Sequence, residues 1–159
     1  MKMSSLCYME REGQYLMLHR TKKVNDANQD KWLGIGGQFE ADESPEACML
    51  REVREETGLV PFQWQYRGIV TFVSDRCETE YMHLFTAQGF EGEPGECDEG
   101  ELEWIEKDAL LSLPMWAGDR IFLELIAQPG PFFSLKLVYA GEKLEAAWLN
   151  GRPLSLPAT

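Results

Sequence analysis

No stretch of apolar residues in this chain of 159 approaches the ~18 that a membrane-crossing helix needs. The N-terminus carries Lys2 but no apolar segment ending in a small-residue cleavage site, so secretion is not expected. There is no C-x-x-C pair. Cys7, Cys48, Cys77 and Cys97 are scattered, which excludes a zinc knuckle or a thioredoxin motif and fits free thiols in a reducing, cytoplasmic setting. Histidine is scarce as well. His19 and His83 have no ligand spacing with each other or with cysteine, so both are read as structural. Basic residues are outnumbered, 15 Lys and Arg against 27 Asp and Glu, which leaves a net charge of −12. Duplex nucleic acid is therefore not an expected partner, because its binding rests on cationic side chains neutralising phosphates. An acidic chain can still handle phosphate where bound cations bridge the two negative parties.

What remains is ordinary for a folded protein: 44% apolar and 11% aromatic residues, with no linker or internal repeat, so one domain over 1–159 is expected. Residues 3–9 and 14–20 read as a strand pair around a polar turn, followed by a polar loop from Thr21 to Asp30. Trp32 to Gly37 is a glycine-dense strand end. Ser44 before Pro45 starts a helix expected to run to Thr57 and stop at Gly58. Strands are predicted at 66–74, 79–88 and 102–106, helices at 107–113 and 118–127, and a terminal hairpin over 132–140 and 144–149. This order predicts an α+β fold, a mixed-sheet sandwich rather than a doubly wound sheet.

On the helix, Met49, Leu50, Val53 and Thr57 share the face that should pack on the sheet. Glu52, Glu55 and Glu56 fall in an arc of roughly 100° beside it. Carboxylates at i, i+3 and i+4 repel, and either a solvated acidic face or a divalent cation relieves them. Such hard oxygen ligands suit Mg²⁺ or Mn²⁺. Arg51 lies four residues before Glu55 and can brace it. Gly34, Gly36 and Gly37 allow close backbone approach, and the Gly37 carbonyl could join a metal shell.

Gly37, Glu43 and the run Arg51-Glu52-Val53-Arg54-Glu55-Glu56-Thr57-Gly58-Leu59 together resemble the complete Nudix box. The resemblance implies an α/β/α sandwich in which the box forms a loop-helix-loop that binds divalent cations, Mg²⁺ or Mn²⁺. It implies hydrolysis of a nucleoside diphosphate linked to another moiety. Carried over, Glu52, Glu55 and Glu56 would be metal ligands with the Gly37 carbonyl assisting. Arg51 would orient a glutamate, Glu43 would support the loop, and Gly58 would close the box. A metal-activated water would attack phosphorus, with Glu55 or a glutamate outside the box as base.

Outside the box the chain resembles the MutT-type branch, through Lys31-Trp32, the acidic loop with Asp98-Glu99, Met115-Trp116 and the terminal Phe132-Phe133 hairpin. That resemblance implies a nucleoside triphosphate pyrophosphohydrolase acting on 8-oxo-dGTP or a related nucleotide. Trp116 would stack on the base, Asp119 would pair with its edge and Glu99 would contact metal. Two positions depart from the pattern: Gly118-Asp119 stands where some members have two acids, and Leu33 where an asparagine touches the base. Alternatives are other Nudix substrates, namely ADP-ribose, a dinucleoside polyphosphate or capped RNA, or a nucleotide-binding domain without catalysis. The expected partner is a small nucleotide, with no membrane, and the chain is expected to be a monomer or homodimer.

Overall fold

The protein is described here from a computed structural model, which places residues 1–22 and 26–156; part of the expected loop from Thr21 to Asp30 lies outside the described residues. The strands are β1 (Lys2–Arg11), β2 (Gln14–His19), β3 (Trp32–Leu33), β4 (Ile35–Gln38), β5 (Val60–Ser74), β6 (Glu80–Glu91), β7 (Glu101–Glu106), β8 (Phe133–Ala140), β9 (Lys143–Leu149) and β10 (Arg152–Pro153). The helices are α1 (Pro45–Thr57), α2 (Lys107–Leu110) and α3 (Ala117–Ile126). The sheet path runs β10-β9-β8-β5-β6-β1-β2-β3, with β4 on β1 and β7 on β2. Pairs β1/β6 and β5/β8 are parallel and the rest antiparallel, so the sheet is mixed as predicted.

Period-2 alternation splits each central strand between two cores. Cys7 and Met9 of β1, Leu16 and Leu18 of β2, and Phe85 and Ala87 of β6 face one side, where Met49 and Val53 of α1 cover them. Tyr8, Tyr15, Met17 and Leu84 face the other, against Phe122, Leu123 and Ile126 of α3. Helices on both faces of a mixed sheet make the expected α/β/α sandwich. Among the described residues no helix is long and apolar enough to cross a membrane. The four cysteines are free thiols.

Helix α1 has the predicted ends. The Ser44 hydroxyl accepts the Ala47 N–H at 3.1 Å, Pro45 opens the first turn, and Gly58 closes it at φ 80°, donating its N–H to Arg54 O at 2.9 Å. Full burial of Met49 and Val53 stabilises the docking by roughly 1.5–3 kcal/mol each. The expected face packs as predicted: Leu50 is half-buried against the same core as Met49 and Val53, and Cys48, which was not expected there, is buried too.

Two other boundaries differ. β5 begins at Val60 rather than 66, and three register shifts between Pro61 and Gly68 explain why its early part shows no clean alternation. The predicted helix 107–113 is a single turn, Lys107–Leu110. The Arg120 guanidinium takes the carbonyls of Leu111 and Leu113 at 3.1 and 3.0 Å, and Pro114 cannot continue the ladder.

Candidate functional site

The loop before α1 is anchored by one arginine. Arg51 Nε and Nη2 donate to the two Glu43 oxygens at 2.8 and 2.9 Å, and Nη2 also reaches Gln38 O at 2.9 Å. Glu43 in turn accepts the Glu40 N–H at 2.7 Å. The Arg51 bonds, then the Glu40 N–H, hold the Glu43 carboxyl down at about 2. The Arg51 Nη1 spans Glu52 at 2.7 Å and Glu55 at 3.2 Å, the predicted i,i+4 contact among them.

Glu52 is nearly enclosed, while Glu55 is 59% exposed on the outer side of the same arginine. Glu56 turns inward. One of its oxygens, Oε2, is buried with no hydrogen-bond partner. Burial first, then the charges of Glu99 and Glu52, push its carboxyl up to about 8. Glu99 therefore stands beside the box, although it is 43 positions further along the chain. Its carboxylate also accepts Arg20 Nη1 at 3.0 Å.

The glycine strand fits tightly under this cluster. A Cβ on Gly37 would lie 2.5 and 2.6 Å from the Glu52 oxygens, and one on Gly36 would overlap the Ser5 carbonyl oxygen. Only glycine lets the backbone sit beneath Glu52 at this distance. The Gly37 carbonyl accepts the Cys48 thiol at 3.5 Å, a weak contact that leaves a lone pair available. As they stand, no three His, Cys, Asp or Glu side chains among the described residues close around one point, because Arg51 holds Glu52 and Glu55. The donor set nevertheless fits a hard cation: carboxylates, a backbone carbonyl, and one buried carboxyl oxygen lacking a partner.

A cleft of about 710 Å³ runs from this end past Gly36, Gly37 and Glu99 to Leu33, Trp116 and Asp119. The size suits a small organic ligand. Trp116 caps α3 and Asp119 sits three residues on, so both overlook the cleft from one helix end. The indole N–H donates to Asn28 Oδ1 at 2.7 Å, its ring lies edge-on to Phe72 and Tyr139, and the Lys31 ammonium rests 4.6 Å from the ring centroid. Asp119 is 6% exposed, and burial pushes its carboxyl up to about 7 against the opposing pull of Arg120 and Lys31.

The departure at Gly118 has a steric cause. A side chain there would meet Leu137 and the Tyr139 hydroxyl, which accepts the Gly118 N–H at 2.7 Å. The sequence reading missed Arg20 and Asn28, which line the cleft wall with Lys31. Lone polar residues in a loop carry no periodic signal. His19 stacks on Trp32 with ring centroids 4.3 Å apart, and His83 is buried beside Tyr66.

Residues 3–126 match the family model described as NUDIX domain. An oxidized purine nucleoside triphosphate hydrolase of Danio rerio is 36% identical over 104 residues, which cover 64% of this chain and 66% of that relative, just under two thirds of its length. The uncharacterized Nudix hydrolase YvcI of Bacillus subtilis is 30% identical over 125 residues, 76% of this chain and 75% of the relative. The crystal structure of a MutT protein from Bacillus halodurans superposes with a TM-score of 0.85 at 27% identity, covering 96% of this chain and all of the other. This chain belongs to the Nudix family. Within it, the chain falls among the MutT-type hydrolases.

Proposed function

We propose that this protein is a cation-dependent pyrophosphohydrolase of nucleoside triphosphates, with oxidised purine nucleotides such as 8-oxo-dGTP as its substrate class. The observation that carries this reading is one cleft lined by Glu99 and the bare Gly36-Gly37 backbone, next to the box glutamates, and also by the Trp116 indole and the buried Asp119. A nucleotide has the matching layout, a polyanionic tail that binds through cations and a flat base with a polar edge. The zebrafish relative's name supports the substrate class.

Glu52, Glu55, Glu56 and Glu99, with the Gly37 carbonyl, would hold Mg²⁺ or Mn²⁺. The cation supplies Lewis acidity toward a phosphoryl oxygen and lowers the pKa of a water. Arg51 fixes Glu52 and Glu55 relative to the loop. Glu55, 59% exposed beside Arg51, or a glutamate outside the box would take the proton from the attacking water. Trp116 stacks on the base, Asp119 reads its edge, and Leu33 lines the apolar wall.

The test is pyrophosphate release over oxidised and normal purine and pyrimidine triphosphates, ADP-ribose and dinucleoside polyphosphates, each with Mg²⁺. The expected result is highest kcat/KM on an oxidised purine triphosphate. Trp116→Ala should weaken all purine substrates, because stacking is worth roughly 1–3 kcal/mol whatever the base. Asp119→Ala should instead change the ratio between 8-oxo-dGTP and dGTP. If neither variant alters KM or the ratio, the base site lies elsewhere.

A further inference from the structure

The two ends of the cleft are joined through the Arg20 side chain and the backbone turn that carries Asp26 and Asn28, in which Gln29 N–H donates to Asp26 O at 2.9 Å. Its Nη1 donates to Glu99 at 3.0 Å, while Nε and Nη2 grip Asp26 Oδ2 at 2.9 and 2.8 Å. All three side chains are largely withdrawn from solvent, at 14% exposure for Arg20, 16% for Asp26 and 27% for Glu99. The backbone of Arg20 is pinned too, donating its N–H to Lys31 O at 3.0 Å and accepting the Asp30 N–H at 2.7 Å. The segment after Glu99 presses directly on it, since a Cβ on Gly100 would meet the His19 carbonyl and lie 3.2 Å from Arg20 Cα. Two residues past Asp26, Asn28 accepts the Trp116 indole N–H. At the opposite end, the Glu99 charge bears on the buried Glu56 carboxyl.

A guanidinium is a rigid planar fork, so it fixes the relative placement of the two carboxylates it binds. In a partly desolvated network, breaking one arm leaves a charge poorly compensated, which favours movement of the members together. Glu99 lies at the cation end and Asn28 at the aromatic end.

We propose that Arg20 is a positioning residue that couples the two ends of the cleft: reorientation of Glu99 on taking up a divalent cation is passed through Arg20 and Asp26 to Asn28, and from there to the Trp116 indole. The coupling rests on the cation-dependent reading above. By reciprocity, a base seated against Trp116 raises cation affinity by the same factor that the cation raises base affinity, on the order of fivefold for a coupling of this kind. The sequence span of the loop then serves a purpose beyond lining the cleft. It reports to the base wall whether the carboxylates are charged with metal.

The experiment follows indole N–H signals by ¹H–¹⁵N NMR on the full chain titrated with Mg²⁺ alone, with the Trp116 signal assigned through Trp116→Phe. Calorimetry measures Mg²⁺ affinity in parallel. In the wild type the Trp116 signal should move as Mg²⁺ binds. In Asp26→Asn, which removes the charge of one arm, and in Asn28→Ala, which removes the last link, that movement should fall to less than about a fifth while Mg²⁺ affinity stays within about threefold. Asn28→Ala leaves the Arg20 ion pairs intact, so it decides the matter if Asp26→Asn does not fold. A wild-type Trp116 signal indifferent to bound Mg²⁺, or an undiminished shift in a folded variant, overturns the coupling. No Mg²⁺ binding by the wild type overturns the cation-dependent reading itself, and the coupling with it.

Discussion

Arg51 and Glu43 share two parallel nitrogen-to-oxygen contacts, at 2.8 and 2.9 Å, across the turn that joins the loop to α1. That fork is what holds the loop in register with the helix carboxylates, and lysine cannot reproduce it. Arg51→Lys should keep the net charge yet lower kcat by about tenfold or more, since Glu52 and Glu55 lose their common brace. Because Glu43 is held at about 2, below its ordinary range, its contribution to stability is fully present above the unfolded-state value and is lost as pH falls toward 2. Glu43→Gln should flatten that part of the acid limb in thermal melts recorded from pH 5 to 2.

Neighbouring glycines should fail in different ways. A methyl at Gly36 strikes the Ser5 backbone, where β4 pairs with β1 and nothing can yield. Gly36→Ala should lower the melting temperature sharply. At Gly37 the obstacle is the Glu52 side chain, which can swing aside. Gly37→Ala should fold and melt near the wild-type temperature but lose activity, a separation that thermal melts and kinetics on one preparation will reveal.

Glu56→Gln keeps the shape of the side chain and removes its charge from the cluster. Activity should drop by roughly 10²-fold or more, while stability is retained or gains, because Glu56 is held partly protonated against Glu52 and Glu99. The same variant should remove most of the proton release that calorimetry in buffers of differing ionisation enthalpy is expected to show when Mg²⁺ binds the wild type near pH 7. Equal proton release by both proteins would exclude Glu56 as its source.

Asp119 yields a prediction of opposite sign to that for Glu43. Its carboxyl is raised to about 7 by burial, so the folded state holds the proton more tightly than the unfolded chain does. The contribution is present below about pH 4 and is lost as pH climbs through 7. Asp119→Asn, which resembles the protonated acid, should match wild-type stability below about pH 4 and exceed it at pH 8. A parallel pair of curves for the two proteins over that range would refute the assignment.

The helix that carries the box was legible to the residue at both ends, because Ser44-Pro45 and Gly58 are local signals that need no tertiary partner. The early half of β5 was not, since its bulges hide the alternation. The truncated helix after β7 failed for a different reason. The carbonyls that would have extended it are captured by Arg120 from α3, a partner no local window contains. At the site, the glutamates of α1 were readable from spacing alone. The approach of Glu99 to Glu56 was not, as residues 91–106 hold eight acids and only the fold singles out one.

The parallel pairing of β1 with β6 sets a schedule for assembly. Residues 2–9 lie beside 80–87, so β1, once made, waits for some seventy further residues before this edge is covered. β4 pairs with the other edge of β1, whereas Glu99 enters only after β6. Non-local parallel pairing of this kind is slow, because loop entropy is lost before the contacts form. The cluster that joins the box glutamates to Glu99 thus needs residues up to 99, and a chain interrupted before Ala87 would carry the whole box in its sequence without that partner.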